Sequence, residues 1–413
     1  MGLLSRKDCV ALDQADPLRG LRERFVLPEG LIYLDGNSLG AMPCAVPARI
    51  AQLLEREWGE GLVRSWNTAN WVDLPQRLGD KIGRIIGAQP GETLVADSTS
   101  VNLYKLLAMA LSLRPQRRVI LSERENFPTD LYIAQGLIES LGARHELRTV
   151  APQQIESALD DSVAVLMLGH INYRSGAMHD LARLTGRAHA AGALVLWDLA
   201  HSAGAVPLRL AADGADFAVG CGYKFLNGGP GAPAFLYIAQ RWHGEVRTPI
   251  SGWFGHARPF EFLPGYEAAP GIARALAGTP PIISMAALEA GVELALEVSI
   301  EQLRAKSMRQ VELLAALAAQ ELAEFGFTDI TPREAQQRGS QLSLMHAQAW
   351  PITQALAARN VIGDFRTPDV LRLGVTPMYL GYAELWDAIC ALRQVMVAEE
   401  WRQPQHQQRT RVT

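Results

Sequence analysis

Residues 180–204, DLARLTGRAHAAGALVLWDLAHSAG, carry two signals in direct succession. The first half reads as a helix and ends in Gly192, the residue type that most readily takes the left-handed conformation closing a helix. The second half, ALVLWDLA (193–200), is a short apolar run of the kind that reads as a strand covered on both faces. The same alternation surrounds it. Strand-like runs appear at RVILSE (118–123), VAVLMLG (163–169), FAVGCG (217–222) and AFLYIA (234–239), with a helix-like stretch at LYIAQGLIESLG (131–142). Such alternation predicts an α/β fold with a mostly parallel, doubly wound sheet.

From about Pro281 the texture changes. SMAALEAGVELALEV (284–298) and SIEQLRAKSMRQVELLAALAAQELAEFG (299–326) are long helical patterns, and Ser299 with Gln302 fits a capping box between them. Strand-like pieces follow at SQLSLMH (340–346) and VLRLGVT (370–376) with a further helix between. The expected organisation is an N-terminal segment, 1–45, packing with a small domain; a large domain, 46–280; and a small α+β domain, 281–413. The polar tail WRQPQHQQRTRVT (401–413) is expected to fray.

With 413 residues, 48% of them hydrophobic and 20% charged, the chain can bury a core without covalent staples. A formal net charge of −4 without long runs of one sign argues against a nucleic-acid partner. Four cysteines, Cys9, Cys44, Cys221 and Cys390, show neither disulfide nor zinc spacing, so a reducing, cytoplasmic setting and no metal are expected. The opening MGLLSRKDCVALDQAD lacks the apolar core of a signal peptide, and no apolar run has the ~18 residues needed to span a membrane. No GxGxxG follows a strand, which sets a nicotinamide dehydrogenase aside.

Ligands of open α/β sheets bind beyond the carboxyl ends of the strands. Three places there hold reactive side chains. ALVLWDLAHSAG puts Asp198 at the end of a buried run and His201 just after it; a helix cap, a core ion pair or a structural histidine would account for either residue taken alone. FAVGCGYKFLNGGPG puts Tyr223 and Lys224 past the next run. A loop lysine usually points to water. The chain has only five lysines, though, and Lys81, Lys105 and Lys306 lie in helical patterns where a solvated face explains them, while Lys7 is terminal. Glycines beside Lys224 allow close backbone approach to a ligand. Asp97-Ser98-Thr99-Ser100 stands just before a helical run, where hydroxyls and free N–H groups make either an ordinary cap or an anion site.

Together these describe one ligand: a phosphate at a helix start, a basic ring nitrogen facing an acid, and a carbonyl carbon within reach of a lysine. Pyridoxal 5'-phosphate (PLP) has all three. Lys224 would condense with its aldehyde, and Asp198 would keep the ring nitrogen protonated. At ~4 Å and an effective dielectric near 20 that pair is worth on the order of 4 kcal/mol.

The chain closely resembles the kynureninase family over nearly its whole length. The likeness rests on LDGNSLG (34–40), RSWN (64–67), NFPTDLY (126–132), WDLAHSAGAVP (197–207), YKFLNGGPG (223–231), SGWFGH (251–256), GTPPI (278–282), TPRE (331–334) and RLGVTPMY (372–379). The resemblance implies the PLP-dependent aspartate-aminotransferase fold (type I) and hydrolytic Cβ–Cγ cleavage of L-kynurenine, or its 3-hydroxy form, in tryptophan catabolism. It implies that Thr99 and Ser100 hold the phosphate, and that Phe127 stacks on the ring with Pro128, Thr129 and Asp130 beside it. Asp198 would pair with the ring nitrogen, supported by His201. Tyr223 would touch the phosphate and pass a proton, and Lys224 would carry the cofactor. Trp253 and Thr279 would reach the cofactor across a homodimer interface, Arg372 would grip the substrate's α-carboxylate, and Trp66 would lie near the aryl ring. From pattern alone Arg372 also reads as a surface arginine after a short strand. Gly169 and Gly222 depart from the family, which usually has hydroxyl residues there. The alternatives are a cysteine desulfurase, an aminotransferase of the same superfamily, or a non-catalytic PLP-binding protein; a desulfurase needs a nucleophilic cysteine that 325–343 lacks.

Overall fold

The structure, a computed structural model, describes residues 4–409. The chain divides into two compact units: Val46–Asn172 with His179–Glu297, and Met1–Ala45 with Tyr173–Met178 and Val298–Thr413.

The larger unit is built on a seven-stranded sheet. Its strands are β1 (Thr93–Val95), β2 (Val119–Glu123), β3 (Glu146–Val150), β4 (Val163–Gly169), β5 (Leu194–Asp198), β6 (Phe217–Gly220) and β7 (Phe235–Ile238), in the order β1-β7-β6-β5-β4-β2-β3. Every residue of β2, β4, β5, β6 and β7 is buried. That burial on both faces is why these strands read as continuous apolar runs. Strands β2 to β6 run parallel, whereas β7 is antiparallel to both neighbours. The reason is local: 221–234 forms no helix, and parallel strands are usually joined by a helical crossover, whereas an irregular connection can bring the strand back antiparallel.

Helices α1 (Leu74–Ile86), α2 (Thr99–Leu113), α3 (Pro128–Ser140), α4 (Leu181–Ala190) and α5 (Ile282–Leu296) belong to this unit. The stretch quoted first folds as read. Asp180 caps α4 by accepting from the Arg183 N–H, and Gly192 has φ +77°, the left-handed region. Helix α5 packs on α1, so the unit boundary falls after Glu297, one helix later than the change of texture at Pro281. Composition marks where helices begin; unit membership follows what a helix packs against.

The smaller unit holds α6 (Ile300–Glu321), α7 (Ala349–Ala357), α8 (Tyr382–Val397) and an antiparallel sheet of β8 (Thr328–Asp329), β9 (Gln341–Met345), β10 (Asp364–Arg366) and β11 (Val370–Gly374), in the order β8-β9-β11-β10. Residues Ile32–Tyr33 pair in parallel with Val361–Ile362. Ser299 caps α6, its Oγ accepting from the Gln302 N–H and donating to Glu301. In the tail, Pro404–Gln407 is helical and 410–413 lie outside the described residues.

Two of the lysines expected on solvated faces are buried. Lys105 is fully enclosed, pairing with Asp97 at 2.6 Å and donating to the Ala275 carbonyl at 2.7 Å. Lys306 pairs with Asp16 at 2.7 Å and donates to the Pro377 carbonyl. Helical period tells which face a residue occupies, not what another segment later lays over it.

Candidate active site

Strand β5 ends at Asp198, paired in register with Gly169 on β4 and Val219 on β6. The carboxylate is therefore held at the carboxyl edge of the sheet. Its Oδ1 accepts from the Ala200 N–H at 2.8 Å. Burial raises its pKa above the ordinary aspartate value, while the positive charge of Lys224 and the Ala200 N–H oppose that shift. The chain turns back after β5 and places His201 Nε2 3.0 Å from Lys224 Nζ. Thus His201 meets the lysine.

Lys224 sits in the turn that follows β6. Its carbonyl accepts from the Asn227 N–H, the Gly222 carbonyl accepts from Gly228, and Nζ lies 5.9 Å from the Tyr223 ring centroid. Asp130, in the first turn of α3, is 1% exposed. Burial first, and then the charge of Asp198, push its pKa well above the usual carboxylate range, with Lys224 and Asn126 pulling the other way. Two buried carboxyls and one amine thus converge, with a histidine on the amine.

Asn126 organises the approach to α3. Its Oδ1 accepts from the N–H of Phe127 at 2.8 Å and of Gly169 at 3.2 Å, and its Nδ2 donates to Ser122 Oγ. Phe127 stands at the N-terminus of α3 with 42% of its surface exposed, Pro128 is the first helical residue, and Thr129 is half-buried. Helix α2 begins at Thr99 and Ser100, with Ser98 as its cap accepting from the Val101 N–H. Asp97, just before, has φ +48° and is pinned by Lys105.

Two glycines of the lysine turn are required by packing. A Cβ on Gly222 would lie 2.5 Å from the Pro233 carbonyl oxygen and within 3.0 Å of Leu288 on α5; one on Gly228 would lie 2.7 Å from Leu288. A hydroxyl residue at 222 has no room. Gly222→Ser is expected to destabilise the protein by about 1–3 kcal/mol, read as a lower urea midpoint at unchanged m-value; an unchanged midpoint would show that the turn gives way freely. At Gly169 a Cβ would lie 3.0 Å from Asn126 Oδ1 and 3.9 Å from the Ile171 carbonyl oxygen.

Trp66 packs edge-on against Trp71 at 5.6 Å and at a tilt of 48° against Phe254 at 5.7 Å. Phe254 in turn touches Trp253 and Phe260. Trp253 is 43% exposed, its indole N–H donating to the Pro259 carbonyl, and Thr279 is exposed.

In the smaller unit, Arg372 is 0% exposed. That overturns its reading as a surface arginine: β11 is flanked by β9 and β10, and all five of its residues are buried. Its Nε and Nη2 grip both oxygens of Asp364, Nη1 donates to the Tyr173 carbonyl at 2.6 Å, and Nη2 also donates to Ser38 Oγ at 2.8 Å. Arg366 Nη2 reaches the same Asp364 at 2.7 Å. Burial alone would raise Asp364, but Arg372 and Arg366 outweigh it and hold it below the usual range. Asp35, from LDGNSLG, adds a second carboxyl. Burial and the neighbouring charge of Asp364 raise its pKa to about 7, against Ser38 and Arg372.

A carboxyl with a raised folded pKa binds more protons in the native state than in the unfolded one, so stability falls as pH rises from about 4 to about 7. Asp35→Asn removes that term. Its melting temperature is expected to gain on the wild type from pH 5 to pH 8; a constant difference would remove Asp35 from the buried charge balance.

A family model described as the kynureninase C-terminal domain matches residues 303–392. A kynureninase of Burkholderia pseudomallei (strain 1106a) is 50% identical, covering 99% of this chain and 100% of its own length. One of Pseudomonas fluorescens is 48% identical over the whole of both chains. This chain belongs to the kynureninase family. Among solved structures, the apo cysteine desulfurase of Thermococcus onnurineus NA1 superposes with a TM-score of 0.78 at 18% identity, over 92% of this chain and 98% of its own. A C-DES variant with glycine covalently linked to its PLP cofactor gives 0.77 at 18%, over 90% and 98%. The aspartate-aminotransferase-type fold expected from the sequence is therefore the one this kynureninase-family chain adopts.

The donor set of this kynureninase-family chain suits PLP. Asp198 is a buried acid at the sheet edge, Lys224 supplies an amine beside it, and the start of α2 offers hydroxyls and N–H groups for a phosphate. Asp130 Oδ2 is buried with no hydrogen-bond partner among the described residues, as expected of an acid facing a polar ligand. The sequence reading gave no role to Asn126, Asp35, Ser38 or Asp364 and put Lys105 on a solvated face. Asn126, Asp35 and Ser38 lay in plain view within NFPTDLY and LDGNSLG, but Gly169, Asp364 and Arg372, which they meet, come from other segments.

Proposed function

We propose that the protein is a PLP-dependent kynureninase, hydrolysing L-kynurenine and its 3-hydroxy form at the Cβ–Cγ bond to anthranilate, or 3-hydroxyanthranilate, and L-alanine. The observation that carries this reading is Lys224 beside a buried carboxyl pair, in a chain half identical to kynureninases from end to end.

When bound, PLP supplies an aldehyde for the amine and a protonated ring that draws electrons from the substrate's α-carbon. Thr99, Ser100 and the free N–H groups of α2 hold its phosphate. Phe127 covers the ring, with Pro128, Thr129 and Asp130 shaping that edge. Asp198 keeps the proton on the ring nitrogen; its burial strengthens the pair. Lys224 would act as the base that takes the substrate's α-proton and gives it back. Within reach of His201 Nε2, that proton has a second place to rest. Tyr223 relays protons to and from the substrate's γ-carbonyl oxygen as water adds there. Arg372 binds the α-carboxylate and Trp66 borders the aryl ring.

A homodimer is part of the same reading, with Trp253 and Thr279 serving a neighbouring copy's site. Phe262 is 75% exposed, Phe260 55% and Trp253 43%, a cluster whose burial against a second copy would be favourable. Four free cysteines support a reducing, cytoplasmic setting. Among the described residues no helix is long and apolar enough to cross a membrane.

A desulfurase is disfavoured. Cys221, the cysteine nearest Lys224 in sequence, is buried with its thiol pKa raised by that burial, the reverse of what a nucleophile needs. Incubating purified protein and PLP with each substrate is expected to release anthranilate and alanine, or 3-hydroxyanthranilate and alanine, in equal amounts. Keto-acid-dependent amine exchange without anthranilate would identify an aminotransferase instead.

A further inference from the structure

Why should an arginine meant for a substrate spend half of its hydrogen bonds on a protein carboxylate? In the antiparallel pairing of β10 with β11, Asp364 lies directly opposite Arg372. Directly opposed side chains sit ~5 Å apart at Cβ, so the hairpin register itself delivers the ion pair. The two residues are 1% and 0% exposed.

A guanidinium offers two edges for bidentate contact, Nε with Nη2 and Nη1 with Nη2. Asp364 takes the first edge with both oxygens. It cannot easily let go, because Oδ2 also accepts from Ser38 Oγ and from Arg366 Nη2, each at 2.7 Å. The second edge meets only neutral acceptors, the Tyr173 carbonyl and Ser38 Oγ. An incoming carboxylate is a stronger acceptor than either. Arg366 supplies a second positive charge, and Asp35, whose pKa is raised to about 7, keeps its proton below that pH, so there an ionised Asp364 orients Arg372 without cancelling the attraction for an anion.

We propose that Asp364 is a positioning residue: it fixes the guanidinium of Arg372 by one edge so that the other edge is set for the substrate's α-carboxylate. The proposal rests on the reading of Arg372 given above. A long, flexible side chain held on one edge loses less rotational freedom when a ligand takes the other.

The test uses the PLP-loaded enzyme with Asp364→Asn and, alongside it, Arg372→Lys. Asp364→Asn keeps the shape but turns one acceptor into a donor facing Nη2 or Arg366. The expected result is a KM for L-kynurenine raised at least tenfold, with kcat within threefold and PLP affinity unchanged. The inhibition constant of L-alanine is expected to rise by a similar factor, while that of aniline, which lacks the carboxylate, stays put. A general loss of structure would move all of these together. Should Arg372→Lys raise KM while Asp364→Asn leaves it within twofold, the positioning role is overturned and the reading of Arg372 survives. Should neither move KM, the reading of Arg372 fails and the proposal with it. If Asp364→Asn does not fold, Asp364→Glu keeps the charge but shifts the carboxylate by one methylene. A folded Asp364→Glu protein with raised KM and unchanged PLP affinity supports the proposal, and one with wild-type KM overturns it.

Discussion

Lys224→Ala is expected to abolish covalent attachment of PLP and to lower turnover by at least about 10³-fold, even with PLP in excess. On the function proposed above two roles vanish at once: the amine that condenses with the aldehyde and the base that handles the α-proton, and proton transfer alone is worth about 10²–10⁴. No other lysine of the larger unit can step in. Lys81 is tied to Glu289 and Glu293, and Lys105 to Asp97 and the Ala275 carbonyl. The electrostatics of the site change too. Lys224 is the cation that opposes the raised pKa of both Asp130 and Asp198, so its loss favours their protonated forms and weakens the hold on the ring nitrogen. Borohydride reduction followed by peptide mapping is the direct check: wild type labels at 224 and the variant carries no label. Lys224→Arg is expected to fail equally, since a guanidinium does not condense with an aldehyde under these conditions. Residual turnover within tenfold of wild type, or label elsewhere, would dismantle the site as described.

Arg372→Ala is expected to raise the KM for L-kynurenine by about 10²–10³-fold while PLP absorbance is retained. On the function proposed above, two charge-assisted hydrogen bonds to the substrate's carboxylate are lost, each worth ~1.5–3 kcal/mol. The same substitution strips Asp364 of its closest cation, and a buried carboxylate left short of a partner costs ~3–5 kcal/mol. Arg366 and Ser38 remain on Asp364 and soften that loss. A lower melting temperature should therefore accompany the kinetic change, and both should be measured on protein shown to hold PLP. Unchanged kinetics would take Arg372 out of substrate binding altogether.

These expectations differ in how far the chain alone announced them. Lys224 stood out because strand periodicity ended just before it and no other lysine followed a buried run. Asp198 stood out for the same reason. Arg372 was visible as a motif residue but not as a buried one, since β11 reads the same whether its neighbours cover it or not. Asp364 gave no sign, because its importance comes from lying opposite Arg372, and register between strands is set by the hairpin and the sheet around it. Lys105 was misread for a related reason: the helix face was legible, the Ala275 carbonyl waiting above it was not.

The order of residues by itself determined the alternation of strand and helix, the parallel sheet, and which acid and amine stand at the strand ends, because hydrophobic period and turn chemistry are local properties. Tertiary structure alone decided which charges are sealed together and that Gly222 must stay bare under Leu288. Burial and opposition are relations between segments far apart in the chain, and they come into being only when the chain has closed on itself.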